Sequence, residues 1–155
     1  MKFFIVFSLA CLISLSTFAH TFQSENLPDC KNRNGVILPN TLNQLKEAMN
    51  SSDKRPQVIV TGVVSNILAE DHDGLPHQKY ILTVNENIKL LIISNLDFGR
   101  VPLEDGKQIS VCGEFKKVGQ GMVHWTHFDP HGGHPNGFTI VDGKSYGETE
   151  GSENN

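Results

Sequence analysis

Short runs of alternating hydrophobic and polar residues dominate the chain between residues 56 and 146, and this pattern predicts a mainly β domain. The run from Val58 to Leu68 is apolar on both faces and has Gly62 near its centre, which is typical of a long strand that bends. Further strands are predicted at 77–84, 88–93, 107–117 and 122–128, followed by a small hairpin at 138–146.

The fourth predicted strand shows the clearest alternation. Ile109, Val111 and Phe115 share one face, whereas Cys112 and Glu114 lie on the other. We therefore expect Cys112 to point away from the core, where the segment before the first helix can reach it.

One short helix is predicted ahead of the strands, at about 41–50. Leu42, Leu45 and Met49 recur at helical spacing, and the helix would begin at a Thr41 cap. Five strands with a long first member and a break between the third and fourth suit a small Greek-key barrel of the OB type. A small open β-sandwich is the alternative.

The first 19 residues have the features of a secretory signal peptide. An apolar run ends in Thr17 and Ala19, small residues at the positions that a signal peptidase reads. A transmembrane anchor is the alternative, but the run is short for a span of about 20 residues. We expect export to the periplasm or the medium, with no membrane span after cleavage. The mature regions would be a lead-in with the helix (20–55), the barrel (56–146) and a disordered acidic tail (147–155).

The net charge bears on which partners the protein can bind, and the cysteine content bears on the cellular compartment. The chain has 13 basic and 17 acidic residues, and losing Lys2 with the signal peptide leaves a net charge of about −5. Strong non-specific binding of nucleic acid is therefore not expected. Cys30 and Cys112 remain after cleavage, and in an exported protein such a pair indicates a disulfide, with two buried thiols as the alternative.

Candidate chemistry is concentrated between Met122 and Phe138, a stretch with four of the seven histidines and the only tryptophan. Imidazole and carboxylate groups bind zinc, copper or nickel. The run from Asp129 to Gly132 predicts a type I turn that could gather such ligands, although Asp129 fits a turn-capping carboxylate better and Trp125 could be a core residue. The candidate metal ligands are His124, His127, Asp129, His131 and His134, and zinc is the expected metal.

A second group of polar residues precedes or opens the second predicted strand. In an OB barrel this region borders the same face as the end of the fifth strand, so we expect it to face the 124–134 loop. His72 and Asp73 are more simply explained as an exposed loop. The candidate catalytic residues are His77, Lys79 and Glu114, and the candidate ligand-binding residues are Tyr80, Arg100 and Trp125.

Two strings, H-Q-K-Y at 77–80 and H-W-T-H-F-D-P at 124–130, resemble the motifs H-Q-[RK]-[FY] and H-W-T-H-x-D-P of a family of small exported bacterial proteins described as a domain of unknown function. The resemblance covers about residues 56–146. It implies functional positions at His77, Gln78, His124, Trp125, His127, Asp129 and Pro130. The chain departs from the family at Ser94, where the family pattern has a histidine.

Two classes of function fit these observations. The first is an exported binding domain that uses its His/Trp-rich surface to hold a metal ion or a polar, small or polymeric ligand. The second is a metal-dependent hydrolase of the nuclease or phosphodiesterase type, in which bound metal activates water.

Overall fold

The structure is a computed structural model that describes residues 27–71 and 74–148. Over these residues the chain forms one α-helix, one short 3₁₀ helix and seven strands. The predicted signal peptide, His72, Asp73 and the tail from 149 onward lie outside the described residues. The elements are α1 (Leu42–Asn50), β1 (Gln57–Asp71), β2 (His77–Asn85), β3 (Ile88–Asn95), the 3₁₀ helix (Leu96–Phe98), β4 (Gln108–Lys116), β5 (Met122–His124), β6 (Phe138–Val141) and β7 (Lys144–Tyr146).

The first five strands form a closed ring. They pair in the order β1-β2-β3-β5-β4, and β4 pairs back onto β1. The β3–β5 pairing is parallel and the others are antiparallel. Strands β6 and β7 extend the sheet from β4. The predicted five-stranded barrel and its final hairpin are confirmed, and the closed ring favours the barrel over an open sandwich.

Strand β1 is long enough to pair with two different strands and so closes the ring. Its first half, Gln57 to Val63, pairs with β4, and its second half pairs with β2. Gly62 lies at the crossing, where a Cβ atom would be 2.7 Å from the carbonyl oxygen of Thr83. The bend predicted at Gly62 is therefore a close approach of two strands that a side chain would obstruct.

The alternation along β4 separates two packed clusters. Ile109, Val111 and Phe115 belong to the main core inside the ring. On the opposite face Cys112 packs with Cys30 and Phe138 in a second cluster. The predicted disulfide is confirmed, with the sulfurs of Cys30 and Cys112 2.03 Å apart and their Cα atoms 5.8 Å apart. It ties the lead-in segment to the outer face of the barrel.

Helix α1 begins as its capping residue predicts. The Thr41 hydroxyl accepts a hydrogen bond from the backbone N–H of Gln44, 3.2 Å away. Leu45 and Ala48 are buried, so one face of the helix joins the core. Among the described residues, no helix has the length and apolar character needed to cross a membrane.

Strand β5 is shorter than the sequence predicts. The alternating pattern predicts a strand over 122–128, but β5 ends at His124. Trp125 has a φ of 56°, in the left-handed region that side chains other than glycine rarely adopt. The chain therefore leaves the sheet at Trp125, and the following residues form a loop whose side chains do not alternate between two faces.

Candidate functional site

The loop after β5 forms one wall of a cavity of about 710 Å³. Phe98, from the 3₁₀ helix after β3, and Arg55, just before β1, contribute to other parts of the lining. Six of the residues predicted from sequence line this cavity: Trp125, His127, Asp129, Pro130, His131 and His134. The other lining residues are Arg55, Leu75, Asn95, Asp97, Phe98 and Gly133.

Asp129 organises the loop from within. Its Oδ1 atom accepts a hydrogen bond from the backbone N–H of His131 at 2.8 Å, and its Oδ2 atom accepts one from that of His134 at 2.7 Å. Burial opposes ionisation of this carboxyl, but these backbone hydrogen bonds outweigh it and hold the pKa of Asp129 below its usual range. Asp129 is thus the turn-capping carboxylate that the Asp-Pro-His-Gly sequence favours.

Aromatic rings pack against one another along the cavity wall. His127 stacks on Phe98 with ring centroids 3.8 Å apart. Trp125 stacks on His134 and on His124, with centroids 4.6 Å apart in both pairs. The left-handed backbone at Trp125 makes this possible, because consecutive side chains of a regular strand point to opposite faces. The stacking partners of the indole are therefore imidazoles of the protein itself.

Backbone carbonyls fix the orientation of two imidazoles. The Nδ1 atom of His127 is 2.6 Å from the carbonyl oxygen of Phe128, and that of His134 is 2.8 Å from the carbonyl oxygen of Pro135. A carbonyl can only accept, so Nδ1 carries a proton in both rings, and in the neutral form of each ring Nε2 carries the lone pair. Burial lowers the pKa of His127, with the Phe128 carbonyl acting in the opposite direction.

His77 and Lys79 form a separate polar cluster with Asp71. The Asp71 carboxylate lies 3.2 Å from His77 Nδ1 and 3.1 Å from Lys79 Nζ. Hydrogen bonds from Lys79 first, and then from His77, lower the pKa of Asp71. The His77 ring lies 5.5 Å from that of His124, so this cluster adjoins the stacked rings, as expected from the barrel topology. His77, Lys79 and His124 are not among the residues that line the cavity.

Two residues predicted to bind ligand are located elsewhere. Tyr80 lies in the core with none of its surface exposed, and burial raises the pKa of its hydroxyl. It shares the buried face of β2 with Leu82, so it supports the barrel and does not present a ring to a ligand. Arg100 pairs with Glu70 and lines a different, smaller hollow.

Glu114, a predicted proton acceptor, has a structural position instead. Its side chain is fully buried, and Arg33 Nη2 lies 3.0 Å from Oε1. The same Arg33 guanidinium donates to the carbonyl oxygen of Gly133, 3.3 Å away. Arg55 Nε lies 3.6 Å from the other carboxylate oxygen of Glu114. Glu114 therefore holds two arginines of the lead-in region beside the loop between β5 and β6 (residues 125–137), which is called the histidine loop below.

Sequence reasoning missed Arg55, Asp97 and Phe98. They lie 70, 28 and 27 positions before Trp125, so no local spacing connects them with the loop. The one available signal was topological, because Asp97 and Phe98 directly follow β3, which pairs with β5.

A family model described as a protein of unknown function, DUF3465, matches residues 36–147. The chain belongs to the DUF3465 family. The match covers most of the sequence, including the whole ring of strands and the histidine loop, and confirms the resemblance inferred from the two motif strings. A search of curated proteins finds no match.

The pH dependence of folding is expected to depend on His124. Burial, then positive charge from Lys116 and the neighbouring histidines His77, His127 and His134, lowers the pKa of His124 to about 4. The unfolded chain, with an ordinary pKa of about 6.5, binds more protons between these values. The free energy of unfolding should therefore decrease as the pH falls from 6.5 to 4, by about 1–2 kcal/mol for this partly exposed group.

The measurement is urea denaturation in metal-free buffer at pH 7 and pH 5, for the wild type and for His124→Gln. The free energy of unfolding should decrease less between pH 7 and pH 5 in His124→Gln than in the wild type. In His131→Gln, at an exposed position, the decrease should equal that of the wild type. An equal decrease in His124→Gln and the wild type would contradict the prediction.

Proposed function

We propose that this domain binds a small organic ligand in the cavity beside the histidine loop. The observation that carries the proposal is the cavity itself. Its volume of about 710 Å³ falls in the range of roughly 300–1,000 Å³ that small-molecule sites occupy. Its lining combines the aromatic rings of Phe98 and Trp125 with three imidazoles, one guanidinium and two carboxylates. Such a lining suits a ligand with an apolar or aromatic body and a polar end.

Arg55 is the residue best suited to recognise the polar end. Its side chain is 52% exposed, and its guanidinium makes an ion pair with Glu114 at 3.6 Å but no hydrogen bond to a described residue. Apart from the Nε atom beside Glu114, the donors of the guanidinium have no partner among the described residues, so they can bind a carboxylate, sulfonate or phosphate group. The Asp129 carboxylate competes little with an anionic ligand for the Arg55 guanidinium, because both of its oxygens already accept backbone hydrogen bonds.

Binding accounts for the geometry better than hydrolysis does. The candidate catalytic residues His77, Lys79 and Glu114 are not among the residues that line the cavity, and neither is Arg100. Stacking of a base or a sugar on Trp125 is also less favoured, since the indole already stacks on two imidazoles. A small ligand held in the cavity therefore fits better than a polymer.

The proposal predicts saturable binding of anilinonaphthalene sulfonate, an aromatic anion whose fluorescence increases in apolar sites. Leu75 lines the cavity and Val118 does not, although they are 58% and 60% exposed. Leu75→Glu places a negative charge at the cavity and should weaken probe binding about tenfold or more, equivalent to about 1.4 kcal/mol. Val118→Glu is the matched control and should bind like the wild type. Arg55→Gln should weaken the anionic probe but not a neutral naphthyl analogue.

Trp125 provides an independent readout, because it is the only tryptophan in the chain. Probe bound in the cavity should quench its fluorescence with the same affinity that the probe signal gives. Equal weakening by Leu75→Glu and Val118→Glu, or probe binding without any change at Trp125, would place the probe elsewhere and overturn the proposal.

A further inference from the structure

We propose that the cavity also holds a divalent transition-metal ion, bound by the Nε2 atoms of His127 and His134. This inference rests on the proposed function, because the ion would occupy the same cavity as the organic ligand. The ion would lie beside the loop and leave coordination positions open to the organic ligand.

The tautomers of the two rings support this assignment. Both Nδ1 atoms donate to backbone carbonyls, at 2.6 Å in His127 and 2.8 Å in His134. Metal-bound histidines typically donate their second ring N–H in this way, which orients the ring and raises the basicity of the coordinating nitrogen. The same arrangement occurs twice, in two residues that line one cavity.

Neither Nε2 atom is satisfied by the protein. His127 Nε2 is buried and has no hydrogen-bond partner among the described residues. An unpaired buried acceptor costs about 1–3 kcal/mol, so a group that satisfies it would stabilise the fold. The Nε2 atom of His134 lies 3.8 Å from Asp129 Oδ2, which is beyond hydrogen-bond distance.

The spacing of these groups is compatible with a shared ion. The two imidazoles are perpendicular with centroids 5.0 Å apart. Two rings on one zinc ion, with bonds of about 2.0–2.1 Å, have centroids at roughly this distance.

The remaining coordination positions would face the cavity. In residues 27–71 and 74–148, no group of three or more His, Cys, Asp or Glu side chains is placed to hold a metal ion. The two imidazoles would therefore be the protein's ligands, and water or an external donor would fill the other positions. An anionic ligand with its acidic end between Arg55 and the ion could complete the site.

The test is cobalt and zinc binding by exported protein purified without a histidine tag and stripped of metal. We expect one ion per chain, visible as cobalt absorption and displaced by zinc. His127→Gln and His134→Gln should each weaken binding about 100-fold or more, since losing even a group that only hydrogen-bonds to a ligating histidine costs about 10–100-fold. Glu86→Gln, which removes an exposed carboxylate in the turn between β2 and β3 and outside the cavity lining, is the control and should bind normally.

A second measurement avoids the need for variants that fold. Long-range ¹⁵N NMR of the wild type should show zinc-dependent shifts at the Nε2 atoms of His127 and His134, with Nδ1 remaining protonated.

Binding that persists in the His127→Gln/His134→Gln double variant, for example at His20 or His72, would overturn the inference. So would the absence of zinc-dependent shifts at these two nitrogens.

The two proposals fail in distinguishable ways. If anilinonaphthalene sulfonate binds as expected and no metal does, the cavity is an organic-ligand site and the metal inference is wrong. If metal binds through both histidines and the probe does not bind, the metal inference stands and the proposed function is wrong.

Discussion

Reduction of the Cys30–Cys112 disulfide is expected to lower the free energy of unfolding by about 4–5 kcal/mol. The bridge joins residues 82 positions apart, and a loop of that length costs the unfolded chain much of its entropy. Both cysteines are buried, so the bridge also fills the cluster between β4 and the lead-in. The measurement is guanidinium denaturation with and without a phosphine reductant.

The control for this experiment is a Cys30→Ala/Cys112→Ala variant, which should be destabilised to a similar extent and should not respond to the reductant. A change below about 1 kcal/mol in the reduced wild type would contradict the prediction, because it would mean that the unfolded chain gains little freedom when the bridge opens.

Opening the disulfide should also change the structure of the candidate site. Arg33 lies three residues after Cys30 and donates to the carbonyl oxygen of Gly133 in the histidine loop. It also pairs with buried Glu114. Opening the bridge frees the segment that carries Arg33, so we expect altered Trp125 fluorescence in reduced protein at denaturant concentrations where the fold persists.

The disulfide illustrates what the sequence could predict. The alternation of β4 identified Ile109 and Val111 as core residues and directed Cys112 to the opposite face. Strand alternation is a local property with a period of two, so it can be read without knowing the tertiary structure. The same argument applied to β2 would have placed Tyr80 on the face of Leu82, inside the core, although its ring suggested a ligand contact.

The shape of the site depended on features that no local pattern records. The backbone turns at Trp125, a bulky residue with a positive φ, so the alternation that predicts a strand to Phe128 fails at that residue. Such a conformation persists only where surrounding contacts hold it. Here the surrounding contacts come from distant parts of the chain, among them the close approach of Gly137.

Gly137→Ala is expected to destabilise the protein by about 3 kcal/mol or more. A Cβ atom at this position would lie 2.1 Å from the carbonyl oxygen of Trp125 and 2.7 Å from that of Cys112. Both are backbone atoms, which cannot rotate away as a side chain can, so β4 or the loop must move. The backbone N–H of Gly137 also donates to the carbonyl oxygen of His127 at 2.8 Å, and this bond would be strained by the shift.

Gly133→Ala is the matched control from the same loop. Its Cβ atom would meet only the Oδ2 atom of Asp129, at 3.3 Å, so a cost below about 1 kcal/mol is expected. Chemical denaturation of both variants measures the difference, and equal stabilities would contradict the prediction. Because Gly137 separates the backbone at Trp125 from β4, any folded Gly137→Ala protein should have displaced rings at Trp125 and His127. It should therefore bind both anilinonaphthalene sulfonate and cobalt more weakly than Gly133→Ala, which links the strained turn directly to the proposed site.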